Sequence, residues 1–213
     1  MVVPDSSAAL IPDVFDDLEA APLLCAGAVG YRAVRLTAMR DGGSIGLTGF
    51  GASGHLVLQM VRYLHPSSPV FVFARSAAER EFALSLGASW VGDTADRPPV
   101  RLDCIIDTTP AWKPVVEALE NLVSGGRLVI NAISKESGDR DQLLRLDYAR
   151  HLWMEKELRS VANIRVEDLR EFLQPAAQMN LHPAVEALPL AQANRALLRL
   201  KSGGLKGALV LVP

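Results

Sequence analysis

Apolar positions come in short runs separated by amphipathic stretches, and the runs differ in period. Val70-Phe71-Val72-Phe73 is an unbroken apolar tetrad, the pattern of a strand covered on both faces in a parallel sheet. Ser44–Thr48, Trp90-Val91, Leu102–Ile106 and Arg127–Asn131 read as further strands. Between them lie helical stretches. Leu18–Met39 has an apolar face at Leu24, Val29, Val34 and Leu36, and His55–Leu64 has one at Leu56, Val57, Met60, Val61 and Leu64. Another helix is capped by Ser76 and runs to Leu86. Trp112–Leu122 is predicted to stop at Ser124-Gly125-Gly126. The polar loop Ser134–Leu143 is expected to be a mobile surface segment, and Leu146–Met154 a short helix before a last sheet strand, Leu158–Ala162. Strands and helices alternating at this pitch predict an α/β chain with a doubly wound parallel sheet and right-handed crossovers. After that the character changes, to helices Val166–Met179 and Leu190–Leu200 with strands Ala184–Leu188 and Ala208–Val212.

The sharpest chemical signal is Gly49-Phe50-Gly51-Ala52-Ser53-Gly54, a GxGxxG run between a predicted strand and a predicted helix. Its glycines allow a tight turn, close approach of a pyrophosphate and close packing of helix on strand. The helix N-terminus adds unpaired N–H groups and partial positive charge. This context predicts a Rossmann-type dinucleotide site using Gly49, Gly51, Ser53 and Gly54; an empty scaffold is the alternative. His55, in the first helical turn, would contact phosphate or ribose, or else be a partly exposed first-turn residue. The ribose-reading position lies about 20 residues further on, and here it holds Ala74-Arg75-Ser76 with no carboxylate before Glu79. Arg75 and Ser76 suit a 2′-phosphate, which favours NADP over NAD. The plainer alternative is a solvated Arg75 and a Ser76 that merely caps its helix. Asp107, at a strand end, would orient the Thr108–Thr109 loop; a general-base role is disfavoured, since no histidine or lysine is paired with it in sequence. Trp90, Trp112 and Trp153 read as core or interface anchors.

Composition narrows the class. Of 213 residues, 49% are hydrophobic and 22% charged, which excludes a disordered chain. The net charge of -2 provides no basic field for nucleic acid. The apolar runs are too short to span a bilayer, and the N-terminus has no basic region ahead of an apolar stretch, so no signal peptide is expected. Cys25 and Cys104 read as reduced thiols of a cytoplasmic protein.

Taken together, these features resemble the zinc-containing medium-chain alcohol dehydrogenase family. The carriers are Ala20-Ala21-Pro22-Leu23-Leu24-Cys25-Ala26-Gly27 with Gly30-Tyr31, the spacing from Cys25 to Gly49, Glu19 with Leu158–Asn163, and the tail Pro189–Pro213 with Leu205-Lys206-Gly207. The resemblance implies hydride transfer between NAD(P)(H) and an alcohol or carbonyl. It implies residues 26–162 as the dinucleotide-binding domain and 163–213 as a segment that completes a catalytic domain, with 1–25 leading in from that domain. By the same resemblance Cys25 falls on the third catalytic zinc ligand, Lys206 on a phosphate contact, and Thr108-Thr109-Pro110 with Asn131-Ala132-Ile133 on the nicotinamide wall. The edge strand Leu158–Ala162, or the segment just before it, falls on the family's dimer contact.

The family's catalytic domain, with its first cysteine ligand and Gly-His-Glu segment, has no counterpart in these residues. A catalytic zinc needs three protein ligands, and His55, His65, His151 and His182 form no metal pattern with a cysteine. The zinc site is therefore not expected to form, and Cys25 would be a small buried hydrophobe on its helix. The expected function is a truncated or split oxidoreductase. The alternatives are a catalytically inactive NADP(H)-binding module and a zinc-independent quinone-reductase-like protein. The final strand, Ala208–Val212, would have free edges, so a homo-oligomer or a complementary chain is the expected partner.

Overall fold

Six strands align in one parallel sheet in the order β3-β2-β1-β4-β5-β6 in the computed structural model, which describes Val2 and residues 4–213. They are β1 (Ile45–Thr48), β2 (Val70–Phe73), β3 (Trp90–Gly92), β4 (Leu102–Asp107), β5 (Leu122–Ile130) and β6 (Glu157–Ser160). β1 and β2 are buried at every position, as their continuous apolar sequence requires. Side chains alternate across the sheet. Ile45, Leu47 and Val72 face one core with α2 (Ala28–Thr37), α3 (Gly54–Leu64) and α4 (Ala77–Ser85). Phe71, Phe73, Leu102 and Ile105 face the other with α5 (Lys113–Asn121). This two-sided cover makes the sheet doubly wound.

A third core joins the two ends of the chain. Phe15 packs with Ala20 of α1 (Asp17–Pro22) and with Phe172 and Leu173 of α6 (Val166–Gln178), over the outer side of α3 at Leu56 and Met60. Arg32 and the buried Asp168 close it with a 2.5 Å ion pair. The last strand does not stand free. β8 (Ala208–Val212) pairs in parallel with β7 (Val185–Pro189), next to α7 (Ala193–Ser202).

Several expectations need correction. The stretch Leu18–Met39 is helical, but α1 and α2 are joined by a π turn, Leu23–Gly27. Pro22, which has no N–H to donate, sits at that junction. The wider turn shifts the helical face, so Leu24 and Cys25 are exposed. Ser124-Gly125-Gly126 does not end a helix; it lies inside β5, where the pairing with β4 slips between Leu102 and Cys104. Gly125 takes φ +69°, a conformation suited to glycine at such an irregularity. The loop Ser134–Leu143 is held down: Glu136 N–H donates to the Pro110 carbonyl, and Asp139 accepts from the Trp112 and Lys113 amides at the start of α5.

Candidate cofactor-binding site

The glycine loop turns from the end of β1 into α3, and its three glycines differ in what surrounds them. Gly49 has φ +81°, and a Cβ there would stand 2.8 Å from Thr108 Oγ1 and 2.9 Å from Thr109 Cγ2. A Cβ on Gly54 would stand 2.7 Å from the Gly49 carbonyl oxygen. A Cβ on Gly51 would meet nothing within 4 Å. Packing within the chain therefore demands Gly49 and Gly54, whereas Gly51 faces open space. Ser53, at the N-cap of α3, makes no side-chain bond to the first turn, which leaves donors there for another partner.

That open space is a cleft of about 740 Å³. Its walls are the glycine loop, Ala74-Arg75 after β2, Thr108–Ala111 after β4, and Glu136, Asp139 and Gln142 from the segment after β5. It lies at the carboxyl ends of the strands, where parallel α/β sheets gather their sites. Arg75 is exposed, and no described contact engages its side chain. Ser76 is occupied: its hydroxyl accepts from Glu79 N–H at 3.1 Å and donates to Glu79 Oε2 at 2.9 Å in a reciprocal cap of α4. The plainer alternative given for Ser76 fits this geometry. Glu79 and Asp93 also line the cleft and oppose an anion there.

The structure thus gathers Gly49, Gly51, Ser53, Arg75, Thr108, Thr109 and Pro110 around one cleft and leaves the other candidates outside its lining. His55 is fully buried, not partly exposed. Its Nε2 accepts from the Ala184 N–H at 3.0 Å, so its proton belongs on Nδ1, which lies 3.0 Å from the Gly51 carbonyl oxygen. Burial pushes its pKa below the ordinary histidine value. His55 therefore latches the C-terminal segment to the glycine loop instead of presenting a free nitrogen. Lys206 places its Nζ 5.8 Å above the Phe82 ring. Asn131 is 7% exposed, and neither polar atom of its amide has a partner among the described residues. Ala132 is half-buried and Ile133 fully exposed.

Asp107 accepts from the Thr109 hydroxyl and amide, the orienting role expected of it. Its carboxylate is fully buried and ion-paired with Lys135, which lies 28 residues away in sequence. Sequence reasoning missed Lys135, Glu136, Asp139 and Gln142 altogether. The only signal available was their place after a parallel strand, and their polar composition argued for a solvated loop.

Zinc does not fit the donors present. Cys25 is exposed, and no group of three or more His, Cys, Asp or Glu that could hold a metal ion occurs among the described residues. Cys104 is buried, and burial pushes its thiol pKa up to about 12, which disfavours the thiolate a metal needs.

A doubly wound parallel sheet whose first β-to-α turn carries this loop defines a Rossmann-type nucleotide-binding unit. Comparison with known proteins extends that statement. The chain is 40% identical over 210 residues, 99% of its length, to the protein named Probable alcohol dehydrogenase AdhA of Mycobacterium tuberculosis, and spans 59% of that protein. It superposes with TM-score 0.75 and 26% identity on the alcohol dehydrogenase of Aeropyrum pernix, over 92% of this chain and 58% of that one. Acetophenone reductase of Geotrichum candidum, solved with NAD, superposes with TM-score 0.80 at 20% identity, over 96% and 58% of the two chains. No protein-family model matches. The chain is a Rossmann-fold nucleotide-binding unit homologous to the zinc-type medium-chain alcohol dehydrogenases, and it spans little more than half the length of these relatives.

Proposed function

We propose that this chain is an NADP(H)-binding module of oxidoreductase descent. The glycine loop and the first turn of α3 would receive the diphosphate, and Arg75 the 2′-phosphate. Thr108, Thr109 and Pro110 would line the path toward the nicotinamide. The observation that carries this reading is the open face of Gly51 at the mouth of a cleft bordered by an unengaged guanidinium. The cofactor would supply hydride chemistry, and the chain's own residues would bind and orient it.

Hydride transfer to or from an alcohol or carbonyl is the second reading, favoured by 40% identity to a protein named as an alcohol dehydrogenase. It requires substrate-facing and proton-moving groups that the described residues do not assemble around the cleft, so it belongs to this chain together with a complementary part. Residues 26–162 would then be the dinucleotide-binding domain and 163–213, with the lead-in 1–25, the portion facing that part. The packing of Phe15 and Ala20 against Phe172 and Leu173 supports this division. Two surfaces suit partners: β6, an edge strand, for a second copy, and the exposed Leu197, Leu198 and Leu200 of α7 for a complementary chain. No described helix is long and apolar enough to cross a membrane; we place the protein in the cytoplasm.

Calorimetric titration tests the cofactor reading. NADPH binds more tightly than NADH, and Arg75→Ala weakens NADPH about tenfold or more, in line with a hydrogen bond to a charged group, while leaving NADH unchanged. Equal loss for both nucleotides would remove the role given to Arg75.

A further inference from the structure

We infer that the buried Asp107–Lys135 pair is a positioning device for the nucleotide cleft: it fixes the glycine loop, the loop after β4 and the segment after β5 in one register. The inference rests on the proposed binding of a dinucleotide there.

The geometry converges on one carboxylate. Asp107 Oδ1 accepts from the Thr48 hydroxyl at 2.6 Å, from the Thr109 hydroxyl at 2.8 Å and from the Thr109 amide at 3.3 Å. Oδ2 accepts from Lys135 Nζ. The lysine also donates to the Thr109 carbonyl at 2.7 Å and the Ala111 carbonyl at 2.9 Å, which uses the three donors of an ammonium group. Thr48 immediately precedes Gly49, and its carbonyl accepts from the Thr108 amide and hydroxyl at 2.9 and 3.0 Å. One neighbour of Lys135 continues the seam through Glu136 N–H to the Pro110 carbonyl at 2.8 Å. Each strand end that borders the cleft through this seam is thus tied to Asp107, and Asp107 and Lys135 themselves stay out of the lining.

Stability is a poor explanation for such a pair. A buried ion pair is often no more stabilising than well-packed apolar side chains of similar volume. Apolar side chains, however, cannot reproduce the direction of these bonds. With the Asp107 side chain 0% and the Lys135 side chain 9% exposed, the bonds are screened little by water, so alternative placements of the loops leave a buried charge unpaired. The pair therefore selects one arrangement of surfaces that a spanning ligand must touch together. That is preorganisation, and it raises affinity only for ligands that use more than one of the loops.

The test compares NADPH with adenosine 2′,5′-bisphosphate, a fragment that carries the 2′-phosphate end and does not reach across the cleft. The wild-type protein comes first: if NADPH does not bind it, the proposed function fails, not this inference. In the double variant Asp107→Asn/Lys135→Met, which removes both charges, NADPH weakens about tenfold while the fragment changes less than about threefold. The melting temperature, followed in parallel, separates a loss of register from a loss of fold. Thr48→Val, which removes one donor to Asp107 and no charge at a buried residue outside the lining, shifts the same ratio in the same direction by a smaller factor, and decides the matter if the double variant does not fold. Equal loss for NADPH and fragment, or no loss for either, overturns the inference.

Discussion

The central sheet is closed by helices on both faces, whereas the C-terminal β7–β8–α7 segment leaves large apolar side chains in the open. β1 and β2 are buried throughout, between helices on both faces. On α7, Leu197, Leu198 and Leu200 are exposed, Leu198 at 69%. Two parallel strands alone are marginal. Here they are tethered by a few polar links: His55 to the Ala184 amide, and Gln59 to the His182 amide and carbonyl. One region completes its own core. The other leaves an apolar stripe on α7 uncovered among the described residues.

The two regions should differ most in what core truncation costs. Ile106→Ala should destabilise the protein by about 2–5 kcal/mol in urea unfolding, because a fully buried side chain in the sheet cannot be replaced by collapse. Leu198→Ala should change stability by less than about 0.5 kcal/mol. If the two costs were equal, α7 would be packed as tightly as the sheet.

Gly54→Ala pushes a methyl into the Gly49 carbonyl and should cost about 1–3 kcal/mol. Gly51→Ala meets no atom of the chain, so unfolding should move by under about 0.5 kcal/mol while NADPH affinity falls. Stability and binding separate at adjacent glycines of one motif.

The latch between the regions is pH-dependent. His55 is held neutral, its pKa pushed below the ordinary 6.5 mainly by burial. Above pH 6.5 both folded and unfolded chains carry it neutral, and its contribution is complete. Below that, the unfolded chain takes up a proton that the folded one resists, so stability falls by at most ~1.4 kcal/mol per pH unit until the folded pKa is reached. The protection factor of the Ala184 amide, which allows for the slower intrinsic exchange at lower pH, should fall over the same range; a protection factor that stays constant with pH would remove His55 as the latch. The smallest effect belongs to metal removal. Because no described donor set holds zinc, dialysis against a chelator should leave the melting temperature and NADPH affinity unchanged.

Local pattern made the sheet legible. The apolar tetrad Val70–Phe73 is β2 residue for residue, and Ser76 with Glu79 forms the cap at α4. Glycine spacing located the turn at the end of β1. Contacts between distant residues left no such trace. Nothing near Lys135 in sequence indicates a buried carboxylate 28 positions away, and its polar neighbours mimic a solvated loop. His55 was legible as a first-turn residue, but its burial depends on Ala184, 129 residues on. The π turn that carries the exposed Cys25 follows Pro22 within an otherwise helical run, and no local apolar pattern marks its width. Cofactor-facing positions followed from a motif; the residues that hold them in place followed from the fold.

Whether the open face at Gly51 receives a dinucleotide is decided by calorimetric titration of NADPH into the wild-type protein and Gly51→Ala, with melting curves on both. Saturable binding to the wild type, strong weakening in the variant and superimposable melting curves without ligand are expected. Absence of heat with the wild type at millimolar NADPH, or equal affinity in the two proteins, would contradict the dinucleotide reading.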